Sequence, residues 1–148
     1  IEFVPSDLPA VADVDAAAFA PLWQNSLPTL EHAFAAAGMA AVAESGGDVI
    51  AYQMTTLHNS NAHLARLAVR PTEQRRRVGY ALVREMLAGV AAHELGRVTV
   101  NTQSDNDASL ALYSQFGFHV TGEQYADTPA QFLSVAAAQS SRDWTKGP

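Results

Sequence analysis

Leu67-Ala68-Val69-Arg70-Pro71-Thr72-Glu73-Gln74-Arg75-Arg76-Arg77-Val78-Gly79-Tyr80-Ala81-Leu82 is the stretch on which the fold turns. Its apolar opening reads as a strand, and Pro71, which has no N–H for a ladder, ends it. Three consecutive arginines follow. Gly79 then stands at the start of a segment with apolar residues at Leu82, Val83, Met86, Leu87 and Val90, the spacing of a helix. The pattern is strand, basic loop, helix. At a helix start the first N–H groups lack partners and the dipole places about half a positive charge there, so phosphate oxygens are bound well. Gly79 lets a ligand come close to the main chain.

Working outward, the helix continues to His93 and Gly96 stops it. Val98–Val100 is a short β-branched run, Asn106–Phe116 reads as a helix capped by Asp105 or Asn106, and Phe118–Val120 begins another strand. Gln131–Ala136 fits a closing strand, with a helical reading of residues 136–139 as the alternative. Upstream, Ala62–Val69 forms the strand that enters the quoted stretch, after a polar loop from His58 to Asn61. Met39–Glu44 and Val49–Leu57 pair antiparallel around the glycine-bearing turn Ser45-Gly46-Gly47-Asp48. Ser6-Asp7 caps a first helix with apolar positions at Leu8, Val11, Val14, Ala18 and Phe19. Ser26 and Pro28 open a second, which Gly38 ends in a left-handed conformation. The expected order is βααβββαβαβ.

Composition bounds the function. The chain has 148 residues, 48% apolar and 16% charged, as in ordinary globular proteins, and a chain of this length hides about 70% of its unfolded surface. One domain is expected. The longest run without a polar side chain, Ala33 to Ala43, is far short of the roughly 20 residues of a membrane span. No charged-then-apolar leader follows Ile1, so the expected compartment is the cytoplasm. There is no cysteine, hence no thiol nucleophile and no zinc-thiolate site. Residues 66–84 hold six of the nine basic side chains and one acid, a local charge of +5 against a chain total of −6. So concentrated a patch suits a small anionic ligand better than nucleic acid. Walker-type, dinucleotide-fingerprint, His-Glu-x-x-His and Gly-x-Ser-x-Gly patterns are all missing, and the sole lysine is Lys146. No metal is expected.

The quoted stretch resembles the acyl-CoA-binding signature of the GCN5-related N-acetyltransferases (GNAT family), a strand followed by Gln/Arg-x-x-Gly-x-Gly/Ala and a helix that grips the pyrophosphate. Gln74 and Gly79 fall on that motif, and Arg77 replaces its first glycine. A left-handed Arg77 would cost on the order of 1–3 kcal/mol, a right-handed one nothing. Asn106, Ser109, Leu112, Tyr113, Gly117 and Phe118 are similar to the family's second signature, Asn-x-x-Ala/Ser-x-x-Leu-Tyr-x-x-x-Gly-Phe. Asn106, Ser109 and Tyr113 share one helix face by spacing.

The resemblance implies a GNAT-like α/β fold: a mixed, mostly antiparallel central sheet with helices on both faces, splayed between the parallel strands Ala62–Val69 and Val98–Val100. It implies that residues 1–148 form a single acyl-CoA-dependent N-acetyltransferase domain, or one half of a larger tandem chain. Acetyl-CoA would be held by the backbone of Leu67, Ala68 and Val69, by Gln74, Arg75, Arg76, Arg77, Val78, Gly79 and Tyr80 at the pyrophosphate, and by Asn106, Ser109 and Tyr113 along the pantetheine arm. Tyr113 would protonate the departing thiolate. Phe19 and Trp23 lie between the first two helices, where the family usually builds its acceptor pocket; as packing residues they would serve the core instead.

The base is open. Some members that acetylate protein N-termini carry a glutamate where this chain has Asn101, which takes no proton near neutral pH; Asn101 is left as an acceptor-side residue. His63 has a suitable intrinsic pKa, with a structural histidine as its plain alternative and His58 weaker still. The acceptor is a small-molecule or peptide amine, and a homodimer is among the open oligomeric states. The competing reading is a non-catalytic acyl-CoA sensor.

Overall fold

The computed structural model describes residues 2–19, 24–58, 61–92, 97–103, 107–116, 118–124 and 130–136. Its helices are α1 (Leu8–Ala18), α2 (Leu27–Ala36), α3 (Val78–Ala92) and α4 (Asp107–Ser114); its strands are β1 (Met39–Ser45), β2 (Asp48–His58), β3 (Asn61–Val69), β4 (Arg97–Gln103), β5 (His119–Gln124) and β6 (Ala130–Ala136). The chain forms two compact units, Ile1–Thr56 with Arg66–Val83, and Leu57–Ala65 with Arg84–Pro148.

In the first unit the strand order is β1-β2-β3. β1 and β2 pair antiparallel around Gly46 and Gly47, at φ +59° and +87°. A two-residue turn matched to strand twist requires positive φ at both positions, so the glycines set the register. The register slips between Ala43 and Glu44, which face Ala51 and Val49, and Ile50 becomes the extra residue of a bulge. As a result Val49 and Tyr52 join one core cluster while Ile50 and Ala51 join the other. β3 is tied on by the Arg70 N–H, which donates to the Ile50 carbonyl at 2.9 Å.

Alternation along these strands places helices on both faces. Val42, Tyr52, Met54 and Ala68 pack with Val11 and Val14 of α1 and Leu30 of α2. Ala41, Ile50, Ala51, Leu67 and Val69 pack with Val78 and Leu82 of α3. Val11, Val14 and Leu30 are fully enclosed; burying such side chains contributes about 1.5–3 kcal/mol each.

Three local expectations change. Residues Pro5–Asp7 form a 3-10 turn, and the Asp7 carboxylate accepts the Val4 N–H at 2.9 Å rather than capping α1. Ser26 caps α2 as expected, accepting from the Thr29 N–H. The helix ends at an extended Ala37, not a left-handed Gly38, because the Gly38 N–H is already donating to the Thr55 carbonyl of β2 at 2.9 Å. The arginine-rich loop is in turn ordered as a 3-10 helix over Pro71–Arg76.

In the second unit the order is β3-β4-β6-β5. β3 and β4 run parallel from Asn61↔Arg97 to Leu64↔Val100, and β3 continues past this ladder to Val69. β4 and β5 both pair antiparallel with β6. The strand reading of Gln131–Ala136 therefore holds, and residues 137–139, the rest of the helical alternative, lie outside the described residues. α4 stops short of Phe116, and the Phe118 N–H returns to the Tyr113 carbonyl at 3.2 Å. Among the described residues the order is ααβββαβαββ and not the expected βααβββαβαβ: ahead of α1 Glu2 makes only an isolated bridge to Ala41, and β6 follows β5. The architecture is the mixed, mostly antiparallel α/β sheet the resemblance implies. No described helix is long and apolar enough to cross a membrane.

Candidate functional site

The strand-to-helix junction is built in three steps. Leu67 and Val69 anchor the end of β3 in the core cluster that also holds Val78 and Leu82. The 3-10 helix then closes through the Glu73 N–H to the Arg70 carbonyl at 2.8 Å, and the Gln74 side-chain amide donates to the Val69 carbonyl at 3.2 Å. Arg77 follows at φ +62°, ψ +23°, the one non-glycine residue at positive φ among the described residues. Its carbonyl accepts the Ala81 N–H at 3.1 Å and so starts α3.

The left-handed alternative is thus the one adopted. Arg77 takes a backbone shape that glycine adopts without strain, at a cost of order 1–3 kcal/mol. Its guanidinium lies 4.4 Å from the centroid of the Tyr80 ring; such a contact at an exposed site returns about 0.5–1 kcal/mol. The turn aims the first N–H groups of α3, those of Val78 and Gly79, out of the helix end, where they have no acceptor within it. Arg70 is turned elsewhere: its Nε donates to the Val49 carbonyl at 3.3 Å. The side chains of Arg75 and Arg76 lie outside the described set.

The same unit contains a polar cluster that sequence reading missed. Asp15 is fully buried on α1. Its Oδ1 accepts from the Tyr52 hydroxyl at 2.6 Å and from Arg66 Nε at 3.0 Å; its Oδ2 accepts from Arg66 Nη2 at 3.1 Å and from the Asn25 N–H at 2.6 Å. The same Nη2 stands 2.9 Å from Oδ1. Burial, and then the bond to Asp15, push the Tyr52 phenol well above its ordinary pKa. Arg66 Cζ lies 3.9 Å over the Phe19 ring, which places the expected acceptor-side Phe19 under a guanidinium. A signal was there: Asp15 follows Val11 by four on the apolar stripe of α1, and Arg66 shares the inward parity of Ala62, Leu64 and Ala68 on β3. Opposite charges on two inward faces mark a buried pair.

In the second unit His63 stands opposite Thr99 in the parallel register, and its Nδ1 shares a 2.7 Å hydrogen bond with Thr99 Oγ1. Burial lowers its pKa, so the imidazole is neutral near pH 7. Tyr113 is buried on α4 with its ring 5.5 Å from that of Phe118. Burial pushes its phenol far up, which keeps the proton on it at working pH. Asn101 pairs with Phe132 along β4 and β6, and Ser109 lies on α4, with both side chains outside the described set. Trp23 and Asn106 lie outside the described residues altogether. The structure therefore joins Val69, Gln74, Arg77, Val78 and Tyr80 in one junction, and Phe19 in the Asp15 cluster.

Three comparisons bear on this geometry. The profile of the Acetyltransferase (GNAT) family matches residues 8–118. No curated protein matches in sequence. Among solved structures, the ribosomal-protein-S18-alanine N-acetyltransferase from Escherichia coli is similar at TM-score 0.82 and 21% identity, over 93% of this chain and 92% of that one. Ard1 from Thermoplasma volcanium is similar at TM-score 0.82 and 20% identity, over 92% and 95%. The PaiA N-acetyltransferase from Thermoplasma acidophilum, solved with coenzyme A, follows at TM-score 0.80 and 13% identity, over 92% and 96%. At these identities the structural likeness is one of fold. With the profile covering most of the chain, the conclusion is that this protein belongs to the GNAT acetyltransferase family.

Proposed function

We propose that the chain is an acetyl-CoA-dependent N-acetyltransferase that works by direct attack in a ternary complex. The observation that carries this reading is the left-handed Arg77 between the 3-10 helix and α3: where the resembled signature has a glycine, a non-glycine residue holds a backbone shape natural to glycine at an energetic cost, at a helix start.

The diphosphate of acetyl-CoA lies against the first-turn amides of Val78, Gly79 and Tyr80, with Gln74, Arg75, Arg76 and Arg77 around it. The backbone of Leu67, Ala68 and Val69 holds the pantetheine arm, and Asn106 and Ser109 border it. A main-chain N–H of β3 aimed at the thioester oxygen stabilises the charge that develops there; one such donor typically contributes about 2.7–4 kcal/mol. The acceptor amine, placed by Phe19, Trp23 and Asn101, attacks the thioester carbon. The C–N bond forms, the tetrahedral intermediate collapses, the C–S bond breaks, and Tyr113 gives its proton to the thiolate. The amine's proton goes to His63, whose Nδ1 shares its hydrogen bond with Thr99 Oγ1, so that Nε2 is the ring nitrogen that takes it.

Thermal unfolding with and without acetyl-CoA tests binding; ligand at about 100 times its dissociation constant adds about 2.7 kcal/mol. Release of CoA, followed with a thiol reagent against a cysteine-free protein, across alanyl peptides, aminoglycosides, small amines and amino acids, tests transfer. Tyr113→Phe lowers turnover by about 100-fold with acetyl-CoA affinity little changed. Binding with no CoA release on any amine would instead assign a sensor.

A further inference from the structure

Asp15 presents an arrangement that none of the roles above uses. A carboxylate has about four lone-pair directions, and here four donors occupy them: the Tyr52 hydroxyl from β2, Nε and Nη2 of Arg66 from β3, and the Asn25 N–H just ahead of α2. The residues that follow α1 and precede α2 are thereby pinned: Phe19 on one side, Gln24 and Asn25 on the other. The Phe19 N–H closes on the Asp15 carbonyl at 3.1 Å, and the Phe19 ring lies beneath Arg66. The Gln24 amide bonds back to the carbonyls of Ala16 and Phe19 at 3.0 and 2.9 Å, and Asn25 is held by the carboxylate itself.

Fully burying this charge carries a desolvation penalty, and well-packed apolar side chains often stabilise such a site as well or better. What they do not supply is direction. Four bonds to one carboxylate fix three elements in register with each other, and one of them is the residue of β3 immediately before Leu67.

We propose that Asp15 is a positioning residue for the acceptor: it fixes Asn25 directly, and Phe19 through Arg66, relative to the strand that carries Leu67 to Val69, and so sets where the amine stands. This rests on the acetyltransferase reading above. Loss of the clamp displaces the acceptor and leaves the diphosphate turn intact.

The test compares Asp15→Asn and Arg66→Lys with Asp13→Asn, an exposed acid on the same helix, using whichever of an alanyl peptide or an aminoglycoside the wild type acetylates. The expected result for Asp15→Asn is an acceptor KM raised about tenfold, while the acetyl-CoA dissociation constant stays within about twofold. Arg66→Lys, which keeps the charge but loses the flat fork, shows a smaller rise of the same kind, and Asp13→Asn shows none. Simple loss of folded protein would lower apparent kcat and leave KM alone. Amide exchange gives a readout that needs no activity: it should quicken at Phe19 and Asn25 in Asp15→Asn, with β1 and β2 unchanged. Unchanged acceptor KM and unchanged exchange in a folded Asp15→Asn overturn the proposal. Absence of CoA release by the wild type overturns the acetyltransferase reading instead, and the exchange result still decides whether Asp15 pins Phe19 and Asn25. Should Asp15→Asn not fold, Arg66→Lys and Tyr52→Phe carry the same comparison.

Discussion

Arg66 and Arg77 come from one basic stretch and lie in one unit of the fold, yet the protein spends them in opposite ways. Arg66 gives its charge to a buried carboxylate and its flat face to Phe19. Arg77 stands exposed over a neutral ring, on a backbone angle that costs energy. A cation beside a carboxylate is cancelled, so its free energy goes into holding elements together. One over an aromatic face keeps most of its potential for an anion that arrives later. Charge counting treats the two alike; geometry separates a fastener from an exposed cation, the one proposed above to meet a ligand.

The largest effect expected from this difference is on the fastener. Asp15→Ala leaves the Tyr52 hydroxyl, the Asn25 N–H and a partly buried guanidinium without their acceptor, and should cost about 3 kcal/mol in urea unfolding, at the low end for a broken buried pair because Arg66 keeps some contact with water. The double variant Asp15→Leu with Arg66→Met removes both charges and should recover much of that loss. A cost for Asp15→Ala below about 1 kcal/mol would mean that the pair holds nothing, and the contrast with Arg77 would go with it.

Arg77→Gly should act less strongly and on a different quantity. Glycine takes a positive φ without strain, which returns about 1 kcal/mol, and the lost stacking on Tyr80 removes about half of that. Thermal stability is therefore expected to hold or rise slightly. Affinity for acetyl-CoA should fall about fivefold, with a shallower dependence on salt, because a cation has left the proposed diphosphate site. Arg77→Ala keeps the strain and loses the stack, so it should be the less stable of the two. Equal acetyl-CoA binding by Arg77→Gly and the wild type would remove the ligand half of the contrast.

What the sequence made legible follows from where single residues decide a local choice. Gly46 and Gly47 set the hairpin and Ser26 the start of α2, because each is a short-range requirement of backbone geometry. Gly38 misled for the same reason: a glycine after a helix favours a left-handed stop, but pairing with Thr55 across β2 overrode that preference. Whether Arg77 is left- or right-handed depends on how the 3-10 helix and α3 join, which no local pattern states. Asp15, Tyr52 and Arg66 are separated by most of the first unit, and only the folded sheet makes them neighbours. The inward parity of two opposite charges was the readable trace.

The smallest predicted effect concerns a third basic group, held in yet another way. His63 shares a hydrogen bond with a neutral hydroxyl, Thr99 Oγ1, and burial lowers its pKa below the ordinary value of about 6.5. Protonation then favours the unfolded chain. The stability tied to the neutral ring is complete above about pH 6.5, declines as pH falls and the unfolded chain takes up its proton first, and is gone below the lowered native value. His63→Gln should flatten this part of the curve: its difference in urea midpoint between pH 7.5 and pH 5.5 should be smaller than that of the wild type, with the other histidines and the carboxylates cancelling in the comparison. If His63 is also the base, the acid limb of kcat/KM lies below pH 6.5, and Thr99→Val moves it while leaving acetyl-CoA binding alone. An acid limb above pH 6.5 would mean that His63 titrates as a solvated ring does or that another group takes the amine's proton, and either result separates it from both arginines.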